Sequence, residues 1–151
     1  MRKIYLIRPI QWEMIFTLFW ISLQATQAAT TWNVCSTCTY TTITDAITNA
    51  STINGDTIAV AAGTYNENIT INKSLVLQGA GAASTTISGA TTTTGTNATI
   101  VTITAPNVTV TGFKITNLFS KYGINVANRS GVTITNTKFE NYNSRIVKLV
   151  R

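Results

Sequence analysis

Val101-Thr102-Ile103, a bend at Ala105-Pro106 and then Val108-Thr109-Val110-Thr111-Gly112 form one unit of this chain. Ile124-Asn125-Val126, a bend from Asn128 to Gly131 and then Val132-Thr133-Ile134-Thr135-Asn136 form the next. Each unit is a short apolar-x-apolar strand, a bend, a second such strand, and a Gly or Asn. Val101 corresponds to Ile124 and Ile103 to Val126 at a spacing of 23, and Val108 to Val132 and Ile115 to Phe139 at 24. One extra residue in the second bend accounts for the difference. Upstream, Ile69-Thr70-Ile71-Asn72-Lys73-Ser74-Leu75-Val76-Leu77-Gln78-Gly79 has the same plan, and Val147-Lys148-Leu149 opens a further copy 23 residues beyond Ile124.

A strand with one apolar stripe cannot bury a core within its own unit, whereas stacked units can. Wound in one direction, equivalent strands lie parallel about 4.8 Å apart and their alternate side chains fill the interior. The prediction is therefore all-β: a right-handed parallel β-helix, a solenoid of about three to four coils. A β-sandwich is the structural alternative, but a fixed recurrence is hard to arrange there. The polar run Ala90-Thr91-Thr92-Thr93-Thr94-Gly95-Thr96 reads as a loop leaving the shaft between the first and second units.

Before the repeats, Ile43, Ala46, Ile47 and Ala50 fall at helical spacing. Thr42 is placed to cap the first turn, and Asp45 can reach back to it while meeting the positive end of the helix dipole. The spacing predicts a short N-terminal helix ending near Asn54-Gly55, with its apolar face laid over the first coil as a cap.

At the start of the chain, Arg2, Lys3 and Arg8 precede the apolar run Met14 to Leu23 and the small residues Ala25-Thr26-Gln27-Ala28-Ala29. That order is a secretory signal peptide over 1–28, cleaved after Ala28, with the β-helix domain over 29–151. The apolar run is about half of the roughly 20 residues a spanning helix needs, so an uncleaved anchor is the weaker alternative. Membrane contact is expected only through this export signal. The last repeat stops partway through a coil, so the domain is expected to be incomplete at its C-terminus and to self-associate there, through an open coil over 132–151.

Formal charge is +6. Export would remove Arg2, Lys3, Arg8 and Glu13, leaving +4, of which Arg145, Lys148 and Arg151 crowd into the last seven residues. No broad basic face remains of the kind that nucleic acid requires. Cys35 and Cys38 form the single C-x-x-C; with no His and no other Cys, zinc lacks further ligands and thioredoxin-type chemistry lacks its βαβ setting. In an oxidising compartment a local disulfide is the expectation, with free thiols as the alternative.

Further motifs carry a resemblance. Tyr40-Thr41-Thr42-Ile43 with Ala46-Ile47, then Gly55-Asp56-Thr57-Ile58-Ala59-Val60-Ala61-Ala62-Gly63-Thr64-Tyr65-Asn66-Glu67-Asn68-Ile69, Lys73-Ser74-Leu75 to Gly79-Ala80-Gly81, and Thr86-Ile87-Ser88-Gly89 follow one another in order. Residues about 40 to 141 resemble the opening of pectin-lyase-like right-handed β-helix proteins, including the start of pectinesterases. The resemblance implies the fold, and it implies carbohydrate as ligand class. It does not supply an activity. Enzymes of that family need clustered carboxylates, with calcium or paired Asp, and a later Arg or Lys, whereas Asp45, Asp56, Glu67 and Glu140 are scattered. No catalytic, cofactor or metal residue is therefore assigned. Asp56 reads as a turn residue, and Glu67 as satisfying backbone donors at a bend between strands.

The polar features that remain are two basic columns, Lys114 with Lys138 and Lys121 with Arg145, each 24 apart. Like charges stacked at strand spacing are mildly destabilising, so such columns point to an anionic polymer such as an acidic polysaccharide. The plainer reading is that exposed Lys keeps strands soluble and unpaired. Tyr122 offers a flat ring to a sugar or simply closes a turn. Asn117 and Asn141 read as an asparagine ladder, and N-x-S/T triplets begin at Asn49, Asn68, Asn72, Asn97, Asn107 and Asn128. Together these features predict a secreted or cell-surface, non-catalytic β-helix module for binding or scaffolding. The alternative is the N-terminal piece of a pectinesterase-like or polysaccharide-lyase-like enzyme.

Overall fold

A computed structural model describes residues 27–89, 98–116, 122–140 and 147–150, the last four by backbone and Val147 alone by side chain. The predicted export segment up to residue 26, the loop 90–96, Asn97, Asn117, Lys121, Asn141 and Arg145 lie outside the described residues.

The described strands are β1 (Thr31–Val34), β2 (Thr57–Val60), β3 (Gly63–Tyr65), β4 (Ile69–Ile71), β5 (Val76–Gly79), β6 (Thr85–Ser88), β7 (Thr99–Ile103), β8 (Thr109–Thr111), β9 (Lys114–Thr116), β10 (Tyr122–Ala127), β11 (Thr133–Thr135), β12 (Lys138–Glu140) and β13 (Val147–Val150). One helix, α1 (Ile43–Thr48), lies between β1 and β2. The fold is all-β and its sheets are parallel. The first sheet runs β1-β2-β5-β8-β11, the second β3-β6-β9-β12 and the third β4-β7-β10-β13. From β2 onward the chain visits first, second and third sheet in that order, four times over.

From β7 onward the registers are those the repeats dictate, whereas the earlier pairs depart from the period, at 19 for Ile58 with Leu77 and 32 for Ile69 with Val101. Val101 pairs with Ile124 and Ile103 with Val126 in the third sheet, where Ile124 then pairs with Val147 and Val126 with Leu149. The earliest copy joins the same stack, since Ile69 faces Val101 and Ile71 faces Ile103. Ile115 pairs with Phe139 in the second sheet. Because side chains alternate along a strand, each register carries one residue type inward: Ile58, Leu77, Val110 and Ile134 in the first sheet, and Tyr65, Ile87, Ile115 and Phe139 in the second. These join Ile69, Ile71, Val101, Ile103, Ile124 and Val126 of the third sheet in one apolar cluster, whereas Val147 on the outer strand is exposed. Full burial of a Val, Ile or Leu side chain is worth about 1.5–3 kcal/mol, so the stack gains stability round by round.

Three local readings need correction. Thr31–Val34, unassigned in the sequence, is a first-sheet strand: Thr31 pairs with Thr57 and Trp32 with Ile58, a spacing of 26 that departs from the repeat and therefore hid it. Gly63-Thr64-Tyr65, part of the run that ends in the bend at Glu67, is itself strand β3, paired with Thr85 to Ile87, and the connection to β4 follows at residues 66–68. The helix is shorter than expected and stops at Thr48, because Asn49 takes extended ψ (137°) and its side-chain oxygen accepts from Ser51 N at 2.7 Å, turning the chain. Thr52 then donates to the Ala46 carbonyl at 2.7 Å, and Lys73 Nζ to the Asn49 carbonyl at 2.7 Å. As expected, Thr42 caps the N-terminus, accepting from Asp45 N at 3.1 Å, and Ile43, Ala46 and Ile47 are buried against β1, β2 and β4, but Ala50, expected on the same face, lies beyond the helix and is exposed.

Candidate functional site

The outer face of the second sheet carries the predicted Lys114–Lys138 column. Strands β6, β9 and β12 set Thr86, Lys114 and Lys138 in one register and Ser88, Thr116 and Glu140 in the register two residues on. Ile87, Ile115 and Phe139 between them point inward, so the polar residues alternate outward as the pleat requires. The two ammonium groups do stack, but not by themselves. Glu140 bridges them, with Lys138 Nζ at 2.7 Å and Lys114 Nζ at 3.8 Å. The hydrogen bond from Lys138 and the charge of both lysines hold the Glu140 carboxyl below its usual range. Glu140, read from the sequence as standing alone, thus relieves the like-charge repulsion and leaves the cluster a net single positive charge. Its i, i+2 relation to Lys138 was the available signal, since both lie on one face of a strand.

The other predicted site residues fare differently. Tyr122 is only 7% exposed in β10, so its ring offers no open platform to a sugar. Lys121 and Arg145 lie outside the described residues. Cys35 and Cys38 are joined in a disulfide, closing a bend in which Cys35 N donates to the Tyr40 carbonyl at 3.1 Å. Beside it Trp32 and Tyr40 meet edge to face, with centroids 5.9 Å apart.

Two of the remaining acids, Asp56 and Glu67, are occupied in holding the fold, and Asp45 is exposed in the first turn of the helix. Asp56 is fully buried and accepts from Thr30 N at 2.8 Å, Trp32 Nε1 at 2.8 Å and Ile53 N at 2.9 Å. Burial alone would raise its pKa. The donors of Ile53, Thr30 and Trp32, with the charge of Lys73, outweigh that and lower it. Glu67, in the bend between β3 and β4, accepts from Ile43 N at 2.8 Å and Thr44 N at 2.9 Å, and from the Thr44 hydroxyl at 2.7 Å. It satisfies backbone donors as expected, but those of the helix N-terminus 23 and 24 residues away. Glu67→Ala is expected to cost about 1–3 kcal/mol by freeing these donors, read as a lower urea midpoint with unchanged slope. Among the described residues no cluster of three His, Cys, Asp or Glu could hold a metal ion, and no helix is long and apolar enough to cross a membrane.

A cell surface glycoprotein of Methanothermus fervidus is similar to this chain, 39% identical over 114 residues. The similar region is 76% of the chain but 18% of that relative, so the chain spans less than a fifth of its length. No family model matches the chain, and no solved structure does. The similarity supports the localisation expected from the sequence: the protein is secreted or sits at the cell surface.

Proposed function

We propose that the protein is a non-catalytic scaffold and binding module at the cell surface, folded as a right-handed parallel β-helix of the pectin-lyase-like kind. The observation that carries this reading is the use made of three of the four described acids. Asp56 and Glu67 each spend their lone pairs on backbone donors, and Glu140 is shared between two lysines. The cyclic order of the three sheets supports the winding, and parallel strands joined by crossovers are right-handed in about 98% of cases. The ligand class we propose is an acidic polysaccharide, met by the outward row of Thr86, Lys114 and Lys138. The outer strands β11, β12 and β13 would take further parallel strands, from continuing sequence or from a second copy of the chain.

Retention on immobilised polygalacturonate at low salt tests the binding reading. The wild-type chain should be held and then released by salt, and a neutral polysaccharide should not hold it. Lys114→Glu with Lys138→Glu should weaken retention about tenfold, roughly 1.4 kcal/mol. Equal retention of wild type and variant overturns the proposed face. Release of methanol or of reducing ends from pectin, abolished by Glu67→Gln, would instead favour the enzyme-fragment reading.

A further inference from the structure

The third-to-first-sheet bends, β4 to β5, β7 to β8 and β10 to β11, are stacked on successive rounds. Thr104 N donates to the Ile71 carbonyl at 2.9 Å, and Asn107 N to the Ser130 carbonyl at 3.0 Å. Each of these bends holds the asparagine of an N-x-S/T triplet: Asn72-Lys73-Ser74, Asn107-Val108-Thr109, whose threonine opens β8, and Asn128-Arg129-Ser130. All three asparagines are exposed. Asn107 and Asn128 take positive φ, 52° and 48°, a conformation that asparagine tolerates in tight turns. Space is also kept beside Asn107. A Cβ on Gly131 would come within 2.1 Å of the Asn107 side-chain oxygen, so the glycine on the next round leaves that carboxamide its place at the surface.

The other described triplets are set differently. Asn49 is half-buried, its side-chain oxygen holds Ser51 N, and its carbonyl holds Lys73. Asn68 is half-buried against the start of β4 and already has a polar partner. A bulky glycan fits a surface bend and not a half-buried strand edge, so the fold sorts triplets that are equivalent in sequence.

We propose that this corner is the protein's glycosylation surface, with asparagine-linked glycans at Asn72, Asn107 and Asn128. In the transfer, the side-chain nitrogen forms a bond to the anomeric carbon of a lipid-linked oligosaccharide phosphate. The bond from that carbon to the phosphate oxygen breaks, the lipid phosphate departs, and the nitrogen gives one proton to a base of the transferase. No redox partner is needed. These bends join the third sheet to the first, so the glycans would border neither end of a second-sheet strand and would leave the Lys114–Lys138 face clear. The inference rests on the reading of the chain as a cell-surface protein.

The test is mass spectrometry of proteolytic peptides from the chain expressed in its own host and recovered from the medium or cell envelope. Peptides holding Asn72, Asn107 and Asn128 should carry sugar masses, and those holding Asn49 and Asn68 should not. Asn107→Gln should remove one glycan and the triple Asn→Gln variant all three. Exported protein with bare corner peptides, or with sugars at Asn49 and Asn68 instead, overturns the proposal while leaving the surface reading intact. Recovery of the chain only from the cytosol overturns the surface reading and the proposal with it.

Discussion

Asp56→Ala is expected to destabilise the protein by about 3–5 kcal/mol, among the largest effects any single polar substitution can have in this chain. The carboxylate ties three segments: Thr30 before β1, Trp32 within it, and Ile53 in the loop after the helix. Removal leaves two backbone N–H groups and an indole N–H without their acceptor, together with the space that the fully buried carboxylate filled. Asp56→Asn should recover part of the loss, because an amide oxygen accepts one or two of the bonds without the charge. Trp12 and Trp20 belong to the predicted export segment, so Trp32 emission reports the change directly in the processed chain. The pH dependence has a defined sign. The folded pKa is lowered from the ordinary 3.8, so the contribution is complete above that value and is lost as pH falls through the folded pKa. The stability gap between wild type and Asp56→Asn should therefore narrow on acidification below the ordinary carboxyl range. A gap that is constant down to strong acid would show that the bonds to Asp56 do not depend on its charge.

The second large effect is expected at Gly112. Its φ is +78°, where a side chain costs about 1–2 kcal/mol of strain. A Cβ there would also lie 2.5 Å from the Gly79 carbonyl oxygen, and a Cβ on Gly79 would lie 2.4 Å from that of Gly112. The two glycines face each other on adjacent rounds, with Phe113 fully buried beside them and Gly81 N donating to the Gly112 carbonyl at 3.2 Å. Backbone cannot swing away as a flexible side chain does, so the clash adds about 1–3 kcal/mol of overpacking. Gly112→Ala should thus cost about 2–5 kcal/mol in all, and about 10 °C or more in melting temperature. Gly55→Ala is the control: its φ is +95°, yet a Cβ there meets nothing within 4 Å, so only the strain applies. Equal losses at the two positions would show that the close approach of the rounds contributes nothing.

The all-β class, the registers from β7 to β13 and the helix cap were legible in the residues alone, because each is written in local spacing. A period of 23 to 24 with apolar-x-apolar strands allows one parallel alignment that keeps every inward residue inward, and a slip of one would turn the whole stripe to water. Thr42 before an apolar helical face is likewise a signal contained within a few residues. Strand β1 was not legible, since its pairing partner is 26 residues away and outside the repeat. The partners of the acids were not legible either. Asp56, Glu67 and Glu140 read as scattered, and only the pairing of distant strands in parallel sheets carries Thr30 and Trp32 to Asp56, the helix N-terminus to Glu67, and Lys114 to Glu140. Packing also shaped the candidate site, burying Tyr122 and neutralising half of the one described lysine column. Of the six chemically identical triplets, the five described ones divide into exposed bends at Asn72, Asn107 and Asn128 and half-buried positions at Asn49 and Asn68, because exposure is set by how the sheets pack and not by the triplet itself.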